Sequence, residues 1–217
     1  MKLAALALLP GCFLIRNNDA KCPQDRTIAI ATQDDVARFA GCTRARDVVI
    51  RTGAAVDLAP LAHLNEIRGD LIIGPTVGIE EAGLNGLEHV GGAIRVTDNA
   101  AMHGLYLPRL LDVGRIVIDA NPGLRTVALP RVTRIHGPLA VTDNPKLELL
   151  TASELVQIDR ELVIGGQPKL ENLEVGHLAA ADGVRIGDDP KLPAELVQRL
   201  QQLPPEPPPP PPKHHER

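Results

Sequence analysis

One column of acidic residues in this sequence could support catalysis. The column holds Asp98, Asp143 and Asp188, Asp119 lies one place earlier in its own repeat, and Arg95 and Arg115 lie near that face. Carboxylates near basic residues are the groups with which enzymes cleave polysaccharides. However, Asp before Asn is typical of turns, and the sequence offers no aromatic platform on which a sugar could stack. We therefore expect no catalysis, and we keep a carbohydrate-active β-helix enzyme as the alternative.

A second column carries amides and one further carboxylate. Its members are Asn99, Asn121, Asn144, Gln167 and Asp189, and four of these five are followed by proline. Such side chains bond to the backbone of their own turn, while proline restricts φ and ends the preceding strand. We therefore predict a structural turn ladder and expect neither a metal site nor a cofactor.

The N-terminal residues are typical of an export signal. Lys2 precedes an apolar run over residues 3–15, which is shorter than the roughly 20 residues of a spanning helix. Within it, Leu9-Pro10-Gly11-Cys12 resembles the lipobox of bacterial lipoproteins, although Pro10 is unusual there. The resemblance implies a signal peptide over 1–11, a lipid on Cys12 and a tether over 12–21. Ordinary signal cleavage and a misplaced start are the alternatives.

Export and lipidation would determine where the protein resides. Phe13 after the cysteine, in place of Asp, is by resemblance compatible with sorting to an outer membrane. We therefore expect an exported protein of the cell envelope, an outer-membrane or surface lipoprotein held to the membrane only by its N-terminal lipid.

The two remaining cysteines, Cys22 and Cys42, would lie in an oxidising compartment, where a pair of thiols normally forms a disulfide. A metal site is disfavoured, since two thiols 20 positions apart with no matching histidine do not make a tetrahedral set. The histidines occupy scattered repeat positions, and most are expected in solvated loops: His63, His89, His103, His136 and His177.

Composition narrows the class of partner. A net charge of -4 provides no basic field for nucleic acid or anionic lipid, and we expect no nucleic-acid partner. Only two phenylalanines and one tyrosine are present, so aliphatic side chains must fill the core. That uniformity favours a small core that is repeated many times.

Aliphatic residues recur every 22 or 23 positions. One column is Ile50, Ile73, Val96, Ile118, Val141, Ile164 and Ile186, and another is Val48, Leu71, Ile94, Ile116, Leu139, Leu162 and Val184. Two aliphatic columns separated by one residue are typical of a strand with alternate side chains in a core. Three further columns begin at Val56, Leu64 and Ile67. The pattern predicts a repeat solenoid, mainly parallel β, of about seven repeats.

Capping helices are predicted at both ends of the solenoid. Thr32 begins a helix over 33–40 with acidic residues in its first turn, and Pro193 begins one over 193–203 with apolar residues at helical spacing.

The residues around the first repeat resemble a receptor L domain. Cys22 precedes the strand-like run 27–30 and a helix, and Phe39-Ala40-Gly41-Cys42-Thr43 leads into the next strand. The module occurs in the insulin and epidermal growth factor receptors and in bacterial lipoproteins. The resemblance spans 22–203 and implies a right-handed β-helix related to leucine-rich repeats, with a Cys22–Cys42 disulfide in its cap. Hormone reception is not implied, because the chain has one such domain and no kinase.

Between the two inward columns, one row of side chains faces outward. It comprises Val49, Ile72, Arg95, Val117, Ala140, Val163 and Arg185. A second outward row holds Tyr106, Ala128, Thr151 and Glu174, with Tyr106 as a possible anchor. We expect an exposed apolar stripe that binds an envelope or extracellular protein or glycan. A purely structural envelope protein is the alternative. The proline-rich tail over 204–217 is expected to be disordered.

Overall fold

The computed structural model describes Cys22, residues 26–187 and residues 191–205. Strands from successive repeats pair in parallel, so the chain forms a solenoid of about seven coils at a repeat of about 23 residues. The predicted fold class is therefore confirmed. Cys12, Asp188, Asp189 and the tail from residue 206 lie outside the described residues.

The main sheet takes one long parallel strand from each of the seven coils and adds β1 of the N-terminal cap. Its strands, numbered in chain order, are β1 (Thr27–Ile30), β3 (Asp47–Thr52), β5 (Leu71–Thr76), β7 (His89–Thr97), β9 (Asp112–Asp119), β12 (Leu139–Thr142), β14 (Gln157–Gly165) and β16 (Ala180–Ile186). The ladder between β7 and β9 is interrupted between Val90 and Ala93, and a similar shift interrupts β14 and β16. These strands therefore turn a corner of the coil while they stay paired.

Short strands complete that corner and form a second sheet on another side of the coil. The corner strands are β2 (Arg44–Ala45), β4 (Glu66–Ile67) and β11 (Arg134–Ile135). The second sheet contains β6 (Glu81–Ala82), β8 (Gly104–Tyr106), β10 (Thr126–Ala128), β13 (Leu149–Thr151) and β15 (Asn172–Glu174). The β-branched columns predicted the strands of the main sheet, but each complete coil has more than one strand.

The core runs along the axis of the solenoid. Every residue of the two strand columns is buried except Val184 and Ile186, which are half-buried in the last coil. The columns that begin at Val56, Leu64 and Ile67 are buried as well. Because each coil covers the next, only the terminal coils lack a neighbour and require a cap.

The two predicted caps are present with slightly different bounds. Helix α1 (Gln33–Phe39) begins after Thr32, whose hydroxyl accepts from the Asp35 N–H at 3.3 Å. The Asp35 carboxylate accepts in return from the Thr32 N–H at 3.0 Å, which completes a capping box. Helix α2 (Ala194–Gln201) follows Pro193 and buries Leu200. A short 3-10 helix, Ala59–Leu61, lies between β3 and β4.

The disulfide predicted for the N-terminal cap is present. Cys22 is bonded to Cys42, with 5.3 Å between the two Cα atoms. The bond joins the segment before β1 to the residue that follows the turn after α1. It therefore fixes the cap to the chain just before the first complete coil.

Candidate binding surface

The predicted outward row lies in register across the main sheet. Val49 is the ladder partner of Ala29 and Ile72, and Arg95 is the partner of Ile72 and Val117. Ala140 then pairs with Val117 and Val163, and Arg185 ends the row. We call these seven residues, Val49 to Arg185, the main row. Neighbouring members lie about 4.8 Å apart.

The main row is less exposed than its sequence suggested. Its five aliphatic side chains and Arg95 are half-buried, whereas Arg185 is exposed and contacts Glu161. The expectation of an exposed stripe was wrong in this respect. Side chains on adjacent parallel strands stand side by side and cover one another's flanks, so each presents mainly its tip. The surface is a low apolar ridge.

Carboxylates border the ridge, and several of them bond to neighbouring coils. Asp47 accepts from the Asp70 N–H at 3.0 Å, and Asp70 accepts from the Ala93 N–H at 2.7 Å. On the other border, Asp119 accepts from the Thr142 hydroxyl. Sequence reasoning missed the Asp47–Asp70 pair, although its spacing of 23 residues could have revealed it. These groups give the ridge a polar rim.

The predicted turn ladder is a buried hydrogen-bonded column. Asn99, Asn121, Asn144 and Gln167 are all fully buried. The Asn121 Oδ1 accepts from the Asn99 N–H and Nδ2 at 3.1 and 2.9 Å, and the Asn144 Oδ1 accepts likewise from Asn121. The Asn121 and Asn144 side chains also bond to their own turns, as predicted. The links between coils and the burial were not foreseen.

The candidate catalytic aspartates lie just before this ladder. Asp98 and Asp143 are exposed, and both have a positive φ, 57° and 51°. The equivalent residue of the intervening coil is Ala120, with φ 53°. Asp and Asn are the side chains that tolerate this conformation best after glycine, which supports a turn role for both aspartates. Arg115 pairs with Ala93 at the corner of the coil, whereas the aspartates follow the opposite ends of their strands, so the structure does not bring Arg115 to them. The absence of catalysis stays a prediction.

A polar cluster at the corner was missed by sequence reasoning. His136 lies between Asp112, at 2.7 Å from Nε2, and Asp159, at 3.3 Å from Nδ1. Asp159 also accepts two hydrogen bonds at 2.8 Å from Arg134. The cluster joins three coils, so it could have been found only by aligning residues 22 to 25 positions apart. It links the coils on the outside as the amide ladder does on the inside.

The other histidines have separate surroundings. His103 contacts Glu81 at 3.2 Å, and the His177 ring contacts the Ser153 carbonyl. His63 and His89 are exposed. Within the described residues, no group of three or more potential ligands could hold a metal ion.

The second outward row lies on the second sheet. Tyr106 is the ladder partner of Ala128, which in turn pairs with Thr151, and Thr151 pairs with Glu174. Tyr106 is half-buried and lies against its own strand. The two predicted rows therefore belong to different sheets and form two separate surfaces.

Comparisons with family models, with curated proteins and with solved structures find no match for this chain. The architecture is a parallel β-solenoid of stacked coils, with a disulfide at its N-terminal cap. Neither of the helices in the described part of the chain is long and apolar enough to cross a membrane.

Proposed function

We propose that the protein is a non-catalytic lipoprotein of the cell envelope, of the receptor L-domain type, that binds a protein or glycan through the main row. The observation that carries the proposal is the register of that row, which aligns five aliphatic side chains across seven strands. A ridge of this kind with a polar rim has the layout of a protein-binding surface.

Two further observations support the envelope location. The Cys22–Cys42 disulfide is compatible with an oxidising compartment outside the cytoplasm. The run Leu9-Pro10-Gly11-Cys12 supplies the residue that would carry the lipid. The L-domain type is supported by the cap, in which a disulfide, a strand and a short helix follow the order that the resemblance implies.

The binding role is tested by photo-crosslinking in the native envelope from a reactive residue placed at Ala140. We expect a discrete crosslinked species whose yield falls about tenfold or more in Val117→Asp and in Val163→Asp, because a charge in the ridge would be desolvated on binding. Val156→Asp is the matched control, since Val156 is 47% exposed on the turn before β14. Circular dichroism should show that all three variants are folded.

Two outcomes would contradict the binding role. If Val117→Asp and Val163→Asp both unfold, the ridge is part of the core. If both remain folded and the crosslinked species is unchanged, the ridge binds nothing, and a purely structural role is favoured.

The lipid anchor is tested separately by metabolic labelling with radioactive palmitate. We expect the label and the membrane-bound fraction to be lost in Cys12→Ser. The double variant Cys22→Ser/Cys42→Ser should keep both, because those thiols are joined in the disulfide. Retention of label in Cys12→Ser would eliminate this anchor.

A further inference from the structure

The corner of the main sheet is one residue shorter in β9 than in the coils on either side. Gly114 and Arg115 form it, whereas the corners of the preceding and following coils contain three residues each, 91–93 and 136–138. The shorter corner is recessed between its neighbours. A cavity of about 370 Å³ lies there, lined by these corner residues and by Arg160. We call it the notch, and its volume lies within the range of ligand sites.

Glycines keep the floor of the notch free of side chains. A Cβ atom added to Gly114 would lie 2.5 Å from the Gly92 carbonyl oxygen, and one added to Gly137 would lie 2.8 Å from the Gly114 carbonyl oxygen. The coils therefore approach so closely that only glycine fits at these positions. This packing explains the glycines, and it leaves a floor above which the side chains of Arg115 and Arg160 line the walls.

Two arginines give the notch a positive charge. Arg115 and Arg160 are exposed, and no carboxylate of the described residues lines the notch. The Arg115 side chain makes no hydrogen bond or ion pair with any described residue. Arg160 lies 3.9 Å from Asp182, which is longer than a hydrogen bond. The His136 ring is already held between two carboxylates, so the two arginines are the groups that can receive an anionic ligand.

In the preceding coils the same corner holds carboxylates. Asp47 accepts from the Asp70 N–H at 3.0 Å, and Asp70 accepts from the Ala93 N–H at 2.7 Å. The series ends at Ala93, whose partner in the ladder is Arg115. The corner therefore has room for a carboxylate, and beside Arg115 none of the described residues supplies one.

The notch adjoins the centre of the main row. Arg115 and Val117 are two residues apart on β9, so they face the same side of the main sheet. Arg95, the ladder partner of Val117, is half-buried and makes no hydrogen bond or ion pair with any described residue. With strands about 4.8 Å apart and a rise of about 3.3 Å per residue, the Cα atoms of Arg95 and Arg115 lie about 8 Å apart. A partner that covers Val117 therefore meets two unpaired guanidinium groups.

We propose that the notch binds a carboxylate of the protein that contacts the main row. The inference rests on the proposed binding function and narrows the partner to a protein whose contact segment combines apolar side chains with an aspartate or a glutamate. The apolar side chains cover the tips of the main row, and the carboxylate enters the notch and bonds to Arg115 and Arg160. Arginine matches the geometry of a carboxylate, and hydrogen bonds between such charged groups are stronger than those between neutral groups.

A glycan fits this surface less well than a protein does. The five aliphatic members of the main row offer no hydrogen-bonding side chain, so sugar hydroxyls placed on them would lose their bonds to water without replacement. Apolar side chains of a protein carry no such cost.

The notch is tested alone with acetate as the probe. In the purified full-length protein, the Nε–H signals of Arg115 and Arg160 are followed by NMR during titration with sodium acetate, and sodium chloride at equal ionic strength is the reference. We expect both signals to shift saturably at millimolar acetate. Arg131 is the matched control, because it is exposed and does not line the notch. Shifts of Arg115 and Arg160 no larger than that of Arg131 would overturn the proposal.

The partner is tested by photo-crosslinking from Ala140 in the native envelope. The double variant Arg115→Gln/Arg160→Gln should lower the yield of the crosslinked species about tenfold, because the partner's carboxylate would be desolvated without a cation. Arg115→Lys should retain more of the yield than Arg115→Gln, since it keeps the charge, and Arg131→Gln should leave the yield unchanged. Circular dichroism should show that all variants are folded.

The outcomes separate the notch from the main row. A species that forms in the wild type and is undiminished in the double variant would overturn the notch and leave the role of the main row intact. Absence of any species in the wild type would contradict the main row itself, and the proposal would fall with it.

Mass spectrometry of the crosslinked species identifies the class of the partner. We expect a peptide that carries an aspartate or a glutamate within a few residues of the crosslinked position. A glycan at that position, or a peptide segment without a carboxylate, would overturn the proposal.

Discussion

The two ends of the solenoid are closed in different ways. At the N-terminal end, the Cys22–Cys42 disulfide and a capping box fix the cap, whereas at the C-terminal end the cap is held mainly by the packing of α2. Ile28 and Ile30, on β1 of the cap, are 2% and 1% exposed. The corresponding residues of the last coil, Val184 and Ile186, are only half-buried, although α2 packs beside β16. The same core is thus closed more completely at its beginning than at its end.

The C-terminal cap has one backbone link that the sequence did not predict. Pro204, the first residue of the expected disordered tail, accepts a hydrogen bond from the Ala181 N–H at 3.1 Å. The chain after α2 thus returns to the edge of β16. Because terminal coils of solenoids open independently of the middle, we expect the less enclosed end to open first.

Removal of the disulfide should produce the largest change at the N-terminal end. Cys22→Ser/Cys42→Ser releases a loop closed over a sequence separation of 20, which should cost about 3 kcal/mol of the free energy of unfolding. Urea unfolding measures this loss, and the wild-type protein in reductant is the matched control. A loss below about 1 kcal/mol would show that the helix alone closes the end.

Leu200→Ala tests the C-terminal end. Leu200 is fully buried, and its truncation should cost about 2 kcal/mol, the lower part of the usual range, because an end can relax around a cavity. Hydrogen exchange should become faster at β16 and remain unchanged at β1. Leu196→Ala is the control, since Leu196 is half-buried and should cost less. Equal acceleration at both ends would mean that the solenoid opens as one unit.

The residues that could be predicted are those whose surroundings repeat. A column such as Val48 to Val184 has the same neighbours in each coil, so its period is visible in the sequence. The main row could be predicted as well, because side chains along a strand alternate between the core and the outside. The caps were predictable because Thr32 and Pro193 are local helix signals.

What could not be predicted depends on contacts that break the period. The corner cluster of His136 draws its partners from two other coils, and the position of the Tyr106 ring, with its edge against Gly104, depends on the absence of a side chain there. The amide ladder was seen as a column, but an Asn in a turn has the same sequence pattern whether it faces the core or solvent. Burial of Asn121 became clear only from the packed coil.

The capping box provides a smaller test of the N-terminal end. Thr32→Ala removes the hydroxyl that accepts from the Asp35 N–H and should cost about 1 kcal/mol of the free energy of unfolding. Thr32→Ser keeps an acceptor at the same place and should lose much less. Chemical unfolding of the three proteins gives the comparison, and equal stability of Ala and Ser variants would show that the hydroxyl does not cap the helix.

The smallest expected effect is the pH dependence of the same cap. The Ala31 N–H and the Thr32 hydroxyl, which donate to the Asp35 carboxylate, lower the pKa of Asp35 below its usual 3.8. A carboxyl group with a lowered pKa stabilises the folded state above its unfolded pKa, and this contribution is lost as pH falls through the folded pKa. The difference in unfolding free energy between wild type and Asp35→Asn should therefore be constant at neutral pH and shrink below about pH 4. Asp34→Asn, in the same first turn, is the control. A difference that persists unchanged at pH 2 would mean that the Asp35 charge contributes nothing and that the variant acts through uncharged contacts of this side chain.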